Sequence, residues 1–258
     1  MQNIKIIFFD IDGTMLPFGA KQLPLRMQET LHRLQHRGII TCIATGRTPV
    51  TLPRFEGVEF DAYMTFNGSL CFDRRGDIFS NPISRQDVQK LIANAAAIGR
   101  PVGLATRKRL AANGSDQDLA DYYAIAHLEV EVSQDFDDVA QEEVYQIMMG
   151  CREQEYPAIL KDVEGAKIAS WWERAADIIP ATGGKGKGVE KMLEYYGLEP
   201  SQAMAFGDGN NDLEMLQSVG WGVAMENAST QLKAVATDIC GSVDEDGIYH
   251  YCLKNGLI

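Results

Sequence analysis

The sequence predicts an α/β fold: a parallel sheet core flanked by helices, with an inserted α+β domain. Three observations point to it. Residues 4–9, 39–44 and 203–206 are short apolar runs with almost no polar interruption, the pattern of parallel strands buried on both faces. Each run ends in small polar or acidic residues: Asp10-Ile11-Asp12-Gly13-Thr14, Thr45-Gly46-Arg47 and Gly207-Asp208-Gly209-Asn210-Asn211-Asp212. In open α/β sheets ligands bind beyond the carboxyl ends of the strands, so acids there are placed for chemistry. Between the second and third runs, from Ser84 to about Ala181, strands and helices follow one another with no acid behind a buried strand end, which marks an insertion without its own catalytic centre.

Taken in order, Ile4, Ile6, Ile7, Phe8 and Phe9 make the first strand, and Gly13 turns the chain away from it. Residues 23–37 read as a helix because Met27, Leu31 and Leu34 recur at helical spacing and Gly38 stops it. His32 and His36 lie four apart on that helix, a zinc-compatible spacing, but with no third ligand nearby they read as polar-face residues. A third strand at 62–66 ends in Asn67-Gly68, and 69–79 reads as a hairpin turning at Arg74-Arg75-Gly76.

Ser84 and Asp87 make a capping-box-like start for a helix whose apolar face is Val88, Leu91, Ile92, Ala95 and Ile98. Strands at 102–106 and 110–112 are joined by the basic triplet Arg107-Lys108-Arg109, which reads as a solvated hairpin tip. A helix at 119–127, a strand at 144–149, a helix at 153–160 and strands at 167–172 and 177–179 complete the inserted layer. Met148-Met149 and Trp171-Trp172 read as core and sheet-face residues. The glycine-rich run 182–188 then opens a helix at 189–196, and a second helix, 213–218, follows the last acidic run.

Composition narrows the function. A chain of 258 residues buries a sizeable core. A net charge of −12 and an isoelectric point near 4.8 argue against a phosphate-backbone binder, so no nucleic acid is expected. Five scattered cysteines without a Cys-x-x-Cys pair suggest neither a disulfide framework nor a zinc knuckle, and fit reduced cytoplasm. No apolar run approaches the length that spans a bilayer, and the first strand follows the amino terminus without a basic-then-apolar leader, so neither a membrane nor export is expected.

The chemistry concentrates at the strand ends. Asp10 and Asp12, two apart in an extended segment, share a face, and two carboxylates so placed either divide one proton or hold a cation. Thr45 and the amide of Gly46 can donate to a phosphoryl oxygen if their strand lies beside the first. Lys185, presented among glycines at a helix start, can neutralise such a group, although the run fails the nucleotide-binding P-loop spacing. The acids at 208 and 212 add hard oxygen donors, which magnesium takes one or two at a time.

These four segments, in this order, resemble the four sequence motifs of the haloacid dehalogenase superfamily of phosphohydrolases. Asn67-Gly68, Val223-Ala224-Met225-Glu226-Asn227-Ala228 and Asp246-Gly247-Ile248 resemble secondary patterns of its Cof-like branch, whose α/β cap is inserted between the second and third motifs. Met15 stands where a leucine is usual and Gly184 where Ser or Asp is common; neither touches a reacting group. The resemblance implies a Rossmann-like core over 1–83 and 182–258 and a cap over 84–181. It implies Asp10 as nucleophile, giving an aspartyl-phosphate, and Asp12 as the acid and then the base. It implies Mg2+ bound by Asp10, the backbone carbonyl of Asp12 and Asp208, with Asp212 outside the ion or orienting Lys185. Thr45, Gly46, Lys185 and Asn211 would hold the phosphoryl oxygens of a small phosphorylated substrate, in a monomer or homodimer. A phosphosugar mutase of the same superfamily and a non-enzymatic sensor on the same fold are the competing readings. An ion-pump relative is disfavoured, since such pumps carry Thr where this chain has Asp12.

Overall fold

The computed structural model describes residues 3–125 and 127–258, so part of the predicted 119–127 helix lies outside the described residues, as does the Trp171 side chain. The chain begins β1 (Ile6–Phe9), α1 (Leu25–His36), β2 (Ile40–Ala44), β3 (Ala62–Thr65), β4 (Leu70–Asp73) and β5 (Gly76–Ser80). It continues through α2 (Arg85–Ala97), β6 (Gly103–Thr106), β7 (Leu110–Ala112), α3 (Gln117–Ile125), α4 (Phe136–Val139), β8 (Val144–Gly150), α5 (Tyr156–Ile159), β9 (Ala166–Trp172) and β10 (Ala175–Pro180). It closes with α6 (Lys185–Tyr196), β11 (Ala203–Gly207), α7 (Leu213–Gln217), β12 (Trp221–Ala224), α8 (Thr230–Val235), β13 (Asp238–Ile239) and α9 (Gly247–Lys254). These elements form two compact units, one of Met1–Thr45, Pro53–Ser80 and Lys185–Ile258, the other of Gly46–Leu52 and Asn81–Gly184.

In the first unit the strand order is β13-β12-β11-β1-β2-β3-β4-β5 among the described residues. From β13 to β3 the pairing is parallel, and β4 and β5 add an antiparallel hairpin. β1 is therefore central, with β11 on one side and β2 on the other, so three polar strand ends are neighbours. Side chains alternate between faces as the pleat requires. Ile6, Phe8, Cys42, Ala44, Met64 and Ala205 pack with Val189 and Met192 of α6 and Met215 and Leu216 of α7. On the other face Phe9 stacks on Phe206 at 5.5 Å, and Tyr251 of α9 meets Phe206 edge-on at 5.7 Å. A fully buried Ile, Phe or Met side chain among these contributes roughly 1.5–3 kcal/mol, which lets strands of four or five residues suffice.

In the second unit the strand order is β7-β6-β8-β10-β9, and every pair is antiparallel. Val88, Leu91 and Ala95 of α2 pack with Leu104, Ile147, Met149, Ala176 and Ile178 on one face of that sheet. Ser84 caps α2 by accepting from the Asp87 amide at 3.1 Å. Met148 and Met149 are buried, as expected for core residues. The basic triplet is not a simple solvated tip: Arg109 donates to Asp135 at 2.5 Å and to Glu142 at 2.6 Å. Those acids lie 26 and 33 residues away, beyond the reach of local pattern reading. The region expected as one helix at 153–160 is a short 3-10 turn, Glu153–Glu155, leading into α5.

One boundary needs a larger correction. The expected helix at 189–196 begins four residues earlier, at Lys185, so the glycine-rich run enters the helix instead of preceding it. Packing explains the glycine. A Cβ on Gly186 would stand 2.8 Å from Glu214 Cβ and 2.9 Å from the Glu214 carbonyl oxygen, so its absence lets α6 close on α7. Replacing glycine by alanine inside a helix ordinarily gains about 1 kcal/mol, but overpacking costs about 1–3 kcal/mol. Gly186→Ala should therefore lower the denaturant midpoint despite its better helix propensity. A midpoint equal to or above that of the parent would show that α6 and α7 do not need the close approach.

Candidate active site

The last rung between β1 and β11 is the Asp10 amide donating to the Phe206 carbonyl at 3.1 Å. Beyond it the chain turns back on itself, the amides of Met15 and Leu16 both donating to the Ile11 carbonyl at 3.0 and 2.8 Å. Gly13 carries this turn at φ +83°, and a Cβ there would stand 2.3 Å from Asp208 Oδ2. Glycine is thus required twice, by backbone angle and by the approach of a carboxylate from the neighbouring strand end. Asp12 lies in the same turn and is half-buried.

Lys185, the first residue of α6, is 1% exposed. Its Nζ donates to Asp10 Oδ1 at 2.6 Å and to Asp212 Oδ1 at 2.5 Å. Asp212 is wholly buried, and its Oδ2 accepts from the amides of Asp208 and Gly209 at 3.0 and 3.1 Å. Thr14 Oγ1 donates to Asp208 Oδ1 at 2.9 Å. The sheet thus brings the ends of β1 and β11 and the start of α6 to one place. Asp10, Asp208 and Asp212 each offer a carboxylate oxygen within 4.8 Å of the others.

The electrostatics follow from three carboxylates sharing one ammonium. Burial raises Asp10 most; Lys185 pulls it down, the charges of Asp212 and Asp208 push it up, and it ends well above the usual carboxylate range. Burial and the Asp212 charge push Asp208 up to about 7 against the Thr14 hydrogen bond and Lys185. Burial alone would lower Lys185, but Asp10 and Asp212 outweigh it and hold the amine above its ordinary value. The site is short of positive charge, and its donors are hard oxygens, the set that suits a small divalent cation.

The other expected residues fall at several places in the chain. Thr45 is buried at the end of β2; its amide donates to the Met64 carbonyl at 2.9 Å and its carbonyl accepts from Asn67 at 3.0 Å. Asn211 Nδ2 donates to Asn67 Oδ1 at 3.1 Å, so the end of β3 links Thr45 to the β11 loop. Phe66 and Asn67 hold this link at φ +50° and +51°, a conformation that costs about 1 kcal/mol or more for a residue with a Cβ. Gly46 belongs to the second unit, where its carbonyl accepts from Gln146 Nε2 at 3.3 Å. His32 and His36 are exposed on α1, His32 Nε2 lying 2.8 Å from the Gly57 carbonyl oxygen. Sequence reasoning gave no part in the site to Thr14, to Asn67 or to Asn227, whose Nδ2 donates to the Gly13 carbonyl at 2.8 Å. All three stand in the segments that carry the family resemblance, without a role of their own there, and Asn67 has the further signal of an Asn-Gly pair at a strand end, where Asn tolerates positive φ.

The family model for haloacid dehalogenase-like hydrolases matches residues 7–252. YkrA of Bacillus subtilis (strain 168) is 32% identical over 257 residues, 98% of each chain. YitU of the same organism, a 5-amino-6-(5-phospho-D-ribitylamino)uracil phosphatase by name, is 28% identical over 260 residues, 95% of each chain. The solved structure of BT4131, described as a HAD subclass IIB sugar phosphatase, is 28% identical and superimposes with a TM-score of 0.88 over 98% of this chain and 100% of its own. Near-complete coverage, joined to a buried acid and lysine cluster at the carboxyl ends of a parallel sheet, establishes that the chain belongs to the haloacid dehalogenase-like hydrolases, in their Cof-like branch, and is an enzyme of the phosphatase class.

Proposed function

We propose that the protein is a magnesium-dependent phosphatase that hydrolyses a small phosphorylated metabolite through an aspartyl-phosphate. The observation that carries this reading is the grip of Lys185 on Asp10 at 2.6 Å. It fixes the orientation of a carboxylate at a strand end and sets a cation beside it, as an in-line attack on phosphorus requires. Asp10 attacks phosphorus while the bond to the leaving oxygen breaks, and Asp12 gives that oxygen its proton. Asp12 then takes a proton from the water that cleaves the aspartyl-phosphate, releasing phosphate and restoring Asp10. Lys185, Thr45, the Gly46 amide and Asn211 hold the phosphoryl oxygens; loose phosphoryl-transfer transition states are stabilised mainly by such positioning and charge.

Asp10, the Asp12 carbonyl and Asp208 would hold Mg2+, which when bound supplies the charge that keeps Asp10 ionised and screens it from the phosphate. Asp212 orients the cluster, since its oxygens already serve Lys185 and two amides. The names of YitU and BT4131, one acting on a ribityl phosphate and one on sugar phosphates, support a small phosphorylated metabolite as substrate. Five free, buried cysteines fit a cytoplasmic protein, and no helix among the described residues is long and apolar enough to cross a membrane. We further propose a discontinuous Rossmann-like core, 1–83 and 182–258, with an inserted cap, 84–181, in a monomer or homodimer that takes no nucleic acid.

Three measurements test this reading. Asp10→Asn removes the nucleophile and should lower phosphate release from an aryl phosphate by about 10⁴-fold or more, with the circular dichroism spectrum unchanged. Parental rates from that variant would sink the assignment. Asp12→Ala should slow an alkyl ester more than an aryl one, because a good leaving group needs no proton, and phosphoenzyme should accumulate; the loss of acid–base help is typically about 10²–10⁴-fold. Equal slowing of both esters without phosphoenzyme would reduce Asp12 to a role in loop geometry.

The third concerns pH. Asp208, at about 7, and Asp10, also raised, bind protons more tightly folded than unfolded, where a carboxyl titrates at about 3.9. The contribution of Asp208 to stability is full below about pH 4 and is lost as pH rises through about 7, and the raised Asp10 acts in the same direction. In chelator the melting temperature should fall between about pH 5 and 8, and saturating magnesium should remove most of that fall. A metal-free protein whose stability rises across this window would contradict the electrostatics described above.

A further inference from the structure

The sheet fixes the spacing of the two acid-bearing strand ends only as far as Asp10; past the Asp10–Phe206 rung, the β1 and β11 loops leave the ladder. Yet Asp12 to Thr14 and Asp208 to Asp212 must keep register with each other if one ion and one phosphoryl group are to meet both. The Thr14–Asp208 hydrogen bond is one link, and it runs through a carboxylate that must itself serve the ion. A second link comes from a segment without reacting groups, the loop after β12.

That loop holds both sides. Asn227 Nδ2 donates to the Gly13 carbonyl at 2.8 Å, while its Oδ1 accepts from the Val243 amide at 3.0 Å. The two partners fix the amide's orientation, because a flipped side chain would set oxygen against carbonyl and NH2 against N–H. Two residues on, the Ser229 amide donates to the Asp208 carbonyl at 2.9 Å and its hydroxyl donates to Asn210 Oδ1 at 2.6 Å. The same hydroxyl caps α8 by accepting from the Leu232 amide at 3.1 Å. The loop is itself anchored to the sheet, the Met225 amide donating to the Gly207 carbonyl at 3.0 Å.

We infer that the 227–229 segment is a clamp in which Asn227 and Ser229 set the distance between the β1 and β11 loops, and that Asn227 is a positioning residue for the reaction although it touches neither ion nor substrate. The inference rests on the proposed roles of Asp10, Asp12 and Asp208. It assigns a physical task to Asn227, which lies in a sequence pattern that carries no reacting group.

The test uses Asn227→Ala, because Ser229→Ala would also uncap α8. Groups that orient a metal site from behind typically contribute about tenfold to a hundredfold in metal affinity or activity. Asn227→Ala should raise the magnesium concentration for half-maximal turnover by about that factor. It should lower kcat at saturating metal more than it changes KM for an aryl phosphate. Without substrate, the magnesium titration of its melting temperature should move to higher concentration by the same factor.

Leu34→Ala, a cavity in the buried face of α1, serves as the control for lost stability alone. It should lower the melting temperature at least as much and leave the magnesium midpoint unmoved. An Asn227→Ala midpoint equal to the parent's, or a Leu34→Ala midpoint displaced as far, would overturn the clamp. If the parent itself shows no magnesium response, the proposed function fails and takes the clamp with it, so the two failures are distinct.

Discussion

A lysine ammonium out of contact with water, held between two buried carboxylates, is the interaction on which the rest of this structure depends. Removing ions from water costs several kcal/mol each, and only close pairing with the remaining donors satisfied recovers it. Lys185 gains its close pairing through Asp10 and Asp212, which take two of its three N–H groups, and Asp212 has its second oxygen satisfied by the amides of Asp208 and Gly209. The geometry around them is subordinate to this. Helix α6 has to begin at Lys185, Gly186 has to let that helix close on α7, and the β11 loop has to wind tightly enough for two amides to reach one oxygen. The pairing remains incomplete in charge, because a third carboxylate, Asp208, lies within 4.8 Å of the other two and feels the same ammonium without pairing with it. That deficit raises Asp10 and Asp208 and makes the site receptive to a divalent cation.

The parallel sheet is the means by which distant segments reach this ammonium. Residue 10 is 175 positions from Lys185 and 194 positions separate Thr14 from Asp208, so no local preference could join them. Pairing β1 between β11 and β2 does so through a few rungs of backbone hydrogen bonding, and leaves the polar residues beyond the ladder, where the loops are free to take special conformations. The left-handed pair Phe66-Asn67 is one of these. Its strain persists because Asn67 is tied to both Thr45 and Asn211, an arrangement found where a site needs donors in fixed places.

Much of this was legible in the residues. The apolar runs ending in acid announced parallel strands with their chemistry at the carboxyl ends, since burial on both faces leaves no room for polar residues until the strand leaves the sheet. The helix with Met27, Leu31 and Leu34, and the cap formed by Ser84, follow from periodicity and a single side-chain hydrogen bond. The glycine-rich run placed Lys185 at a helix start correctly but left the reason for Gly186 open, because a glycine there has two explanations, backbone approach to a ligand or approach of another helix. Only the position of Glu214 against Gly186 separates them. Arg109 misled for a similar reason: its acids come from residues 135 and 142.

By itself, then, the sequence determined which residues carry charge at strand ends, the order of the four motif segments, and the alternation of strand and helix. Those are properties of composition and short-range spacing, which bind a chain whatever its neighbours do. Tertiary structure alone decided that Lys185 donates to Asp10, that Asn67 joins the β3 end to Asn211, and that Asn227 holds the Gly13 carbonyl, whereas the amides that Asp212 accepts from lie within its own loop. Hydrogen bonds between residues more than a hundred positions apart carry no local signature, because the groups that satisfy a buried amide or ammonium are chosen by the sheet that brings them within 3 Å, and by nothing in the chain on either side of them.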